Sequence, residues 1–305
     1  MSANWSTNKI PSQKGKIILI TGANSGLGLG TAKELAKKDA HVILAVRNMK
    51  KGKTAINEIV TEYPKAQVEL MQVDLSDLNS VKHFAEAFKN KYKKLDVLIN
   101  NAGVMMPVKR FETTQGFEGQ FGTNHLGHFV LTQALFPILQ NTPKSRIVTL
   151  SSLVAKMKDA DMYWEDLQFE KKYDKMKSYA QSKLANMMFG LELSNKLKAV
   201  ESSTKSVMAH PGFTATNLQQ HMGLQGRIMN FLMAQKIEMG ILPTLRAATD
   251  LNVKCGEYYG PEKMSNWRGY PVINTVAEKA LNLKERQRLW EISEDLTQTK
   301  FHINR

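Results

Sequence analysis

The feature that most constrains the fold is a glycine-rich turn directly after an apolar run. Residues 16–20 read Lys-Ile-Ile-Leu-Ile, which predicts a buried strand, and residues 21–28 read Thr-Gly-Ala-Asn-Ser-Gly-Leu-Gly. Gly22 suits a tight turn, Gly26 lets the backbone approach a phosphate, and Gly28 allows the next helix to pack closely. A helix that begins there also offers free N–H groups to an anion. This unit could therefore hold a pyrophosphate.

The spacing of these glycines, G-x-x-x-G-x-G, differs from the G-x-G-x-x-G of many dinucleotide-binding turns. An ordinary strand-to-helix turn is the alternative, because a glycine-rich turn alone is weak evidence. Its place between the first predicted strand and the first predicted helix favours cofactor binding. The candidate contacts in this turn are Gly22, Asn24, Ser25, Gly26, Leu27 and Gly28.

Apolar runs and helical patterns alternate along the rest of the chain. Predicted strands cover 16–20, 41–46, 68–73, 96–99, 146–150 and 206–209, and predicted helices cover 27–38, 49–63, 81–92, 117–139, 177–197 and 277–296. Buried strands separated by helices are typical of a parallel sheet covered on both faces. Residues 1–14 are polar and predict a flexible arm. No linker, repeat or change of composition divides residues 15–305, so we expect one doubly wound α/β domain there.

The end of the second predicted strand indicates which dinucleotide would bind. An acidic residue at this place would accept from the ribose 2′-hydroxyl of NAD, whereas an arginine would bind the 2′-phosphate of NADP. The sequence has Arg47 and no carboxylate here, and a guanidinium is a forked, permanently charged donor. A surface arginine on a loop is the alternative. The pattern favours NADP(H).

The third and fourth predicted strands end in further candidate contacts. Asp74 and Leu75 follow the third strand, where an aspartate could accept from an adenine amino group. Asn101, Ala102 and Gly103 follow the fourth strand, where small residues let the backbone approach a ligand. Open α/β sheets bind ligands at the carboxyl ends of their strands, so we expect these motifs to meet at one site.

Composition narrows the class of protein. The 305 residues include 42 Lys and Arg against 28 Asp and Glu, a formal charge of +14, yet 42% are hydrophobic, which is too apolar for a disordered chain. The basic residues are scattered, so a solvated surface is favoured and no nucleic-acid partner is expected. The single cysteine, Cys255, excludes an intramolecular disulfide and any multi-thiolate metal site.

Neither a secretory leader nor a membrane-spanning apolar run is apparent, which predicts a soluble, cytoplasmic protein without a transmembrane segment. His125 and His128 lie three positions apart and could ligate a metal. With no third ligand in view, we interpret them as ordinary core or surface histidines and expect no metal.

Tyr179 and Lys183 lie at positions i and i+4 of a predicted helix and therefore share one face. A tyrosine can act as a general acid or base, although its ordinary pKa is about 10. A lysine ammonium one turn away would stabilise the phenolate. The alternative is that Lys183 extends along the helix surface with Tyr179 packed beside it.

The order of five motifs resembles the short-chain dehydrogenase/reductase superfamily. These are Thr-Gly-x-x-x-Gly-x-Gly at 21–28, Asn-Asn-Ala-Gly at 100–103, Ser-Ser at 151–152, Tyr-x-x-x-Lys at 179–183 and Pro-Gly at 211–212. The resemblance covers about residues 14–260. It implies a single doubly wound Rossmann domain with a mostly parallel seven-stranded sheet and helices on both faces.

The resemblance also implies roles for individual residues. Tyr179 would exchange a proton with the substrate, Lys183 would hold the nicotinamide ribose and depress the pKa of that tyrosine, and Ser152 would hydrogen-bond the substrate oxygen. Asn124 would hold a water in a proton relay. Residues near the nicotinamide would be Pro211, Gly212 and Thr214 or Thr216.

One departure points to a branch within the superfamily. Tyr179 follows Ser152 by 27 positions, about twice the usual interval. Together with Arg47 and the Gly-Glu-Tyr-Tyr-Gly-Pro run at 256–261, this insertion resembles the retinol dehydrogenase and light-dependent protochlorophyllide reductase-like branch. Those relatives prefer NADP(H) and take large apolar carbonyls or alkenes.

These patterns predict an NADP(H)-dependent oxidoreductase that moves a hydride between nicotinamide and a carbonyl or alcohol carbon of an apolar small molecule. A substrate lid is expected at about residues 213–240, with an ordinary core helix as the alternative, and a C-terminal helix should close the domain. A non-catalytic dinucleotide-binding sensor and a basic surface-binding protein stay open. So do homo-oligomer formation and the identity of the substrate.

Overall fold

A computed structural model describes residues 4–214 and 235–304. Its centre is one sheet of eight strands in the order β3-β2-β1-β4-β5-β6-β7-β8. The strands are β1 Ile17–Thr21, β2 His41–Val46, β3 Gln67–Gln72, β4 Val97–Asn100, β5 Arg146–Leu150, β6 Lys205–Ala209, β7 Tyr258–Lys263 and β8 Arg268–Ile273. The doubly wound α/β class predicted from the sequence is confirmed.

Helices cover both faces of this sheet. They are α1 Gly26–Lys37, α2 Met49–Glu62, α3 Leu78–Lys91, α4 Gly119–Phe121, α5 Gly127–Gln140, α6 Lys175–Ala199, α7 Ile237–Gly240, α8 Leu242–Thr249 and α9 Leu283–Thr297. Successive strand residues pack on opposite faces: Ile18 and Ile20 join one buried cluster, whereas Leu19 joins the other. This alternation follows from the two-residue period of a strand.

The strand order reverses between β1 and β4, which are parallel neighbours although two strand–helix units separate them in sequence. A crevice forms at such a switch point, outside the carboxyl ends of the strands. The glycine turn, residues 21–28, and residues 101–103 follow these two strands. The fold therefore brings together the motifs that the sequence assigned to one site.

The sheet has eight strands rather than the seven predicted. The additional strand β8 pairs antiparallel with β7 at the edge of the sheet. Its sequence contains Gly269 and Pro271, which argue against a strand when they are considered alone. Proline is tolerated here because an edge strand needs hydrogen bonds on one side only.

The helix predicted over 117–139 contains an irregular segment. Residues Gly122–Leu126 are π-helical, and the Gly127 N–H donates to the carbonyl of Gly122, five residues earlier. Such π segments occur often at functional sites. The π segment carries Asn124, whose side chain contacts residues at the carboxyl edge of the sheet.

The two ends of the chain pack against the sheet layers. Trp5 and Ile10 are buried in one core cluster, so residues 4–14 differ from the loose arm predicted; their apolar side chains have sheet-layer partners that polarity alone did not reveal. At the other end, Trp290 and Phe301 lie against Phe129 with ring centroids 5.3 and 5.8 Å away. In residues 4–214 and 235–304, no helix is long and apolar enough to cross a membrane.

Candidate active site

A cleft of about 620 Å³ opens at the carboxyl edge of the sheet. The predicted site residues that line it are Leu27, Asn101, Ser152, Tyr179, Lys183, Pro211, Gly212 and Thr214. The other predicted cofactor contacts follow β1 to β4 along the same edge; they are Gly22, Asn24, Ser25, Gly26, Gly28, Arg47, Asp74, Leu75, Ala102 and Gly103. Folding thus joins residues from six separate connections.

The glycine turn has a backbone that side chains would disturb. Gly22 and Gly26 have φ values of +66° and +54°, in the left-handed region where glycine is favoured. A Cβ atom at Gly28 would lie 2.4 Å from the carbonyl oxygen of Gly22 and 2.6 Å from Nδ2 of Asn101. The turn therefore has no room for a side chain at position 28.

The helix that follows the turn lacks a side-chain cap. Helices α2, α3, α6 and α9 each begin with an Asn or Asp side chain that accepts from first-turn amides. At α1 the corresponding residue is Ser25, and its side chain makes no such bond. The first-turn N–H groups of α1 can therefore serve an external anion, which fits a dinucleotide pyrophosphate.

A buried network fixes this turn against the end of β4. The Thr21 hydroxyl accepts from the N–H groups of Asn101 and Ala102 at 2.9 and 3.0 Å, and Nδ2 of Asn101 donates to the Thr21 carbonyl at 2.7 Å. His128 Nδ1 lies 2.9 Å from the carbonyl of Asn124, so that nitrogen must carry the proton. Its Nε2 then accepts from the Thr21 hydroxyl at 2.9 Å.

Arg47 and Asp74 lie at the carboxyl ends of β2 and β3. Arg47 is exposed, and its guanidinium makes no hydrogen bond or ion pair within the described part of the chain. Asp74 has one carboxylate oxygen that accepts from the N–H and the hydroxyl of Ser76, at 2.9 and 2.6 Å. Leu75 is buried, with its carbonyl against Gly127. Arg47 thus carries a positive charge that no group in the described part of the chain neutralises.

Tyr179 and Lys183 project from α6 into the cleft, and Lys183 Nζ lies 5.9 Å from the Tyr179 ring centroid. Burial raises the pKa of Tyr179 to about 12, while a hydrogen bond with Ser152 acts in the opposite direction. Burial also lowers the pKa of Lys183 to about 8. The resemblance implied a depressed tyrosine pKa, but here the loss of hydration disfavours the phenolate.

Backbone and side-chain contacts hold the two serines of the pair differently. Ser151 is buried and donates to the carbonyl of Lys183 at 2.7 Å, which ties the end of β5 to α6. Ser152 is only partly buried, and its hydroxyl accepts from the Val154 N–H at 3.4 Å. Both serines line the cleft, but the Ser151 hydroxyl already donates to Lys183, so Ser152 is the one of the pair whose hydroxyl can donate to a substrate oxygen.

Asn124 is fully buried and joins the β4 end to α6. Its Oδ1 accepts from the Val104 N–H at 2.8 Å, and its Nδ2 donates to the Val104 carbonyl and the Ser182 hydroxyl, both at 3.0 Å. Lys183 Nζ donates to the Leu150 carbonyl at 3.4 Å. The Asn124 side chain is thus committed to protein partners, and the water relay that the resemblance implies stays a prediction.

The turn after β6 forms the wall opposite the glycine turn. Gly212 has a φ of +65°, and a Cβ there would lie 2.3 Å from the carbonyl of Trp267. Thr214 donates to the Pro211 carbonyl at 2.7 Å. Gln235 donates to the same carbonyl at 2.7 Å and accepts from the Gly269 N–H at 3.1 Å.

Comparisons with known proteins agree with this geometry. The family model described as short chain dehydrogenase matches residues 16–164. Human retinol dehydrogenase 11 is 40% identical over 293 residues, which cover 95% of this chain and 87% of that protein. Human retinol dehydrogenase 12 is 37% identical over 284 residues, or 92% and 86% of the two chains. A crystal structure of an uncharacterised protein from Mycobacterium paratuberculosis has 36% identity and a TM-score of 0.82, covering 98% of this chain and all of that one.

The chain belongs to the short-chain dehydrogenase family. Its relatives place it in the retinol dehydrogenase-like branch, as the insertion before Tyr179 predicted. It is therefore an NAD(P)-dependent oxidoreductase that acts on alcohol or carbonyl groups.

For this member of the family, the sequence interpretation missed much of the cleft wall. Met105, Met106, Met157 and Met176 line the cleft. They lie outside the five motifs, so only the alternation of elements could have indicated that their side chains reach this edge. Trp267, for which the sequence left pocket lining and surface packing open, lines the cleft as well. The expected lid, about residues 213–240, falls mostly on residues 215–234, which lie outside the described residues, as does Thr216.

His125, His128 and His210 are buried in the interior of the domain. His125 Nε2 lies 2.8 Å from the Ser293 hydroxyl of α9, whereas His128 contacts Thr21 at the end of β1 and the carbonyl of Asn124. Within the described residues, no group of three His, Cys, Asp or Glu side chains is arranged to hold a metal ion. His210, which the sequence did not assign to the site, accepts from the Gly212 N–H at 3.2 Å and holds the Pro211–Gly212 turn.

Proposed function

We propose that the protein is an NADP(H)-dependent enzyme that interconverts a carbonyl and an alcohol on an apolar small molecule, with Tyr179 as the general acid or base. The observation that carries this proposal is the burial of Tyr179 beside Ser152 and Lys183 in one largely apolar cleft. The bound nicotinamide would supply or accept the hydride. The chain's own residues would orient the carbonyl and move the proton.

The proton chemistry follows from the environment of Tyr179. A pKa of about 12 keeps the phenol protonated at neutral pH, so it can donate to the alkoxide that develops as a carbonyl is reduced. Ser152 would donate a second hydrogen bond to the same oxygen. In reduction the carbonyl carbon gains the hydride, its oxygen gains the tyrosine proton, and solvent returns a proton to the phenolate. The protonated phenol is the form of Tyr179 that carbonyl reduction requires.

Lys183 would keep Tyr179 supplied with protons and hold the nicotinamide ribose. With a pKa near 8 it is still mostly protonated at pH 7, and one of its three N–H donors is bound to Leu150. The others are free to bind ribose hydroxyls. Phosphates would lie at the uncapped start of α1, and Arg47 would bind the 2′-phosphate of NADP. The residues present therefore fit a phosphorylated dinucleotide.

Tyr179→Phe tests the acid–base assignment. We expect kcat for NADPH oxidation with an accepted aldehyde or ketone to fall about 10²- to 10⁴-fold, because the proton donor is lost while the ring remains. NADPH binding, measured by fluorescence, should be retained. Tyr173→Phe is the matched control, since the Tyr173 hydroxyl binds the Pro107 carbonyl at 3.2 Å and does not line the cleft.

Full turnover by the Tyr179→Phe variant would show that the acid–base assignment is wrong. Tight NADPH binding by the wild-type protein, with no turnover on a panel of aldehydes, ketones and quinones, would instead support the cofactor-binding sensor. A steep loss of binding to duplex DNA or anionic vesicles with rising salt would support the surface-binding alternative.

A further inference from the structure

The cleft has an unusual balance of charge. Its described lining contains two charged side chains, Lys156 and Lys183, and no Asp or Glu. Lys183 is assigned to the ribose and the proton path. Lys156 is therefore a cleft cation for which the proposed reaction has no use.

Lys156 is tied structurally to the reacting end of the cleft. It is the last residue of a 3₁₀ helix, Leu153–Lys156, in which the Val154 N–H donates to the Ser152 hydroxyl. At about 2 Å of rise per residue, the helix separates the backbones of Ser152 and Lys156 by about 8 Å. The position of Lys156 relative to the substrate oxygen is thus set by one short rigid element.

The ammonium of Lys156 makes a solvent-exposed hydrogen bond and has no ion-pair partner among residues 4–214 and 235–304. Lys156 is partly buried, and its Nζ donates to the hydroxyl of Thr275 at 3.0 Å. Its charge also reaches the core: burial lowers the pKa of His210 most, and the charge of Lys156 lowers it further. The neutral Thr275 hydroxyl accepts from one of the three N–H donors of Lys156 and provides no opposite charge for the ammonium.

Much of the described wall of the cleft that contains Ser152 and Lys156 is apolar. Met105, Met157, Met176, Phe213 and Trp267 contribute side chains that offer no competing charge. Methionine adapts to irregular apolar shapes, and an apolar wall lowers the local dielectric. A charged hydrogen bond formed here is stronger than one formed in bulk water.

We propose that Lys156 is a specificity-determining residue that binds an acidic group on the substrate, so that the preferred substrates are amphipathic carbonyl compounds with a carboxylate remote from the reacting carbon. This inference rests on the proposed function, because it concerns the same cleft. The carbonyl lies at Tyr179 and Ser152, the apolar body lies along the methionines, and the carboxylate lies at Lys156.

The experiment compares ω-oxooctanoic acid with its methyl ester as substrates for NADPH-dependent reduction. We expect Lys156→Met to lower kcat/KM for the acid about tenfold or more, mainly through KM, and to leave the ester unchanged, because a bond to a charged group is lost for the acid only. Lys156→Arg should retain part of the preference for the acid. Lys158→Met is the matched control, since Lys158 is exposed nearby and does not line the cleft.

The proposal would be overturned if the ratio of kcat/KM for the acid to kcat/KM for the ester were the same in the wild type and in Lys156→Met. An equal loss of kcat/KM on both substrates would give that result. Calorimetric titration with octanoate and octanol separates this result from failure of the proposed reaction. The wild type should bind octanoate more tightly than octanol even if turnover is absent, and Lys156→Met should lose that difference. Equal octanoate affinity in the two proteins would also overturn the proposal.

Discussion

The glycine turn and the cleft lie at the same edge of one sheet but are built from different parts of the chain. The turn is made of backbone: glycines, uncapped N–H groups of α1 and a carbonyl network around Thr21. The cleft is made mainly of side chains from the segments after β4 and β5, from α6, from the turn after β6 and from the β7–β8 connection. Backbone geometry tolerates few substitutions, whereas a side-chain wall can be rebuilt without changing the fold.

This difference explains which parts of the site leave a mark in the sequence. A turn that only glycine can form produces fixed spacing, but a wall of methionines at unrelated positions produces none. The cleft should therefore respond gradually to substitution, through substrate choice, while the turn should respond sharply, through loss of the cofactor. Three predictions would break or sharpen this contrast.

Gly28→Ala should have the largest effect. The added Cβ would lie 2.4 Å from the Gly22 carbonyl oxygen, so the backbone that approaches the pyrophosphate must shift. Overpacking of this kind costs about 1–3 kcal/mol, which, if it falls on the bound state, corresponds to roughly five- to 150-fold weaker NADPH binding. The measurement is calorimetric titration with NADPH.

The control for Gly28 lies two positions further along α1. A Cβ at Gly30 would meet the side-chain ends of Ile237 and Ile241 at 3.1 and 3.2 Å, and these can adjust. Gly30→Ala should therefore bind NADPH nearly as the wild type does. Equal losses of NADPH affinity in the two variants would show that any added side chain in α1 weakens binding. The requirement for glycine would then not be specific to the turn.

What could be predicted from the sequence follows the same division between parts determined by local backbone geometry and parts determined by contacts distant in sequence. The strand, turn and helix at 17–37 were predictable because apolar periodicity and glycine spacing both reflect local backbone needs. Strand β8 was not, since Gly269 and Pro271 are acceptable only because the strand lies at an edge. The π segment around Asn124 was missed too; the Asn124 side chain in it bonds to Val104 and Ser182, which are distant in sequence and leave no local pattern.

Arg47→Ala should have an intermediate effect that is specific to the cofactor's phosphate. The guanidinium is exposed and makes no polar contact among residues 4–214 and 235–304, so its removal should leave the fold intact. We expect the ratio of kcat/KM for NADPH to that for NADH to fall about tenfold, since one charge-assisted bond is lost with NADPH only. Lys50→Ala, an exposed cation in the first turn of α2, is the control. The NADP(H) preference is wrong if the ratio does not fall.

The smallest expected effect is on the stability of the protein at acidic pH. It tests whether the glycine turn and the cleft are both destabilised by acid. Burial lowers the pKa of both His128, behind the glycine turn, and His210, behind the Pro211–Gly212 turn, to about 4 from an ordinary 6.5. Each uses an unprotonated ring nitrogen as an acceptor, from the Thr21 hydroxyl and the Gly212 N–H respectively. Between these pKa values the unfolded chain binds more protons, so stability should fall as the pH drops from about 6.5 towards 4.

Each histidine should contribute a slope of up to about 1.4 kcal/mol per pH unit in the free energy of unfolding, measured by urea denaturation from pH 7 to 5. His128→Gln and His210→Gln should each flatten this slope even where they lower stability at pH 7, because a glutamine does not titrate. His83→Gln, at an exposed position, should leave the slope unchanged. If only the His210 variant flattens it, the acid-sensitive part of the site is the side-chain-built cleft, and the backbone-built turn is the more robust of the two regions.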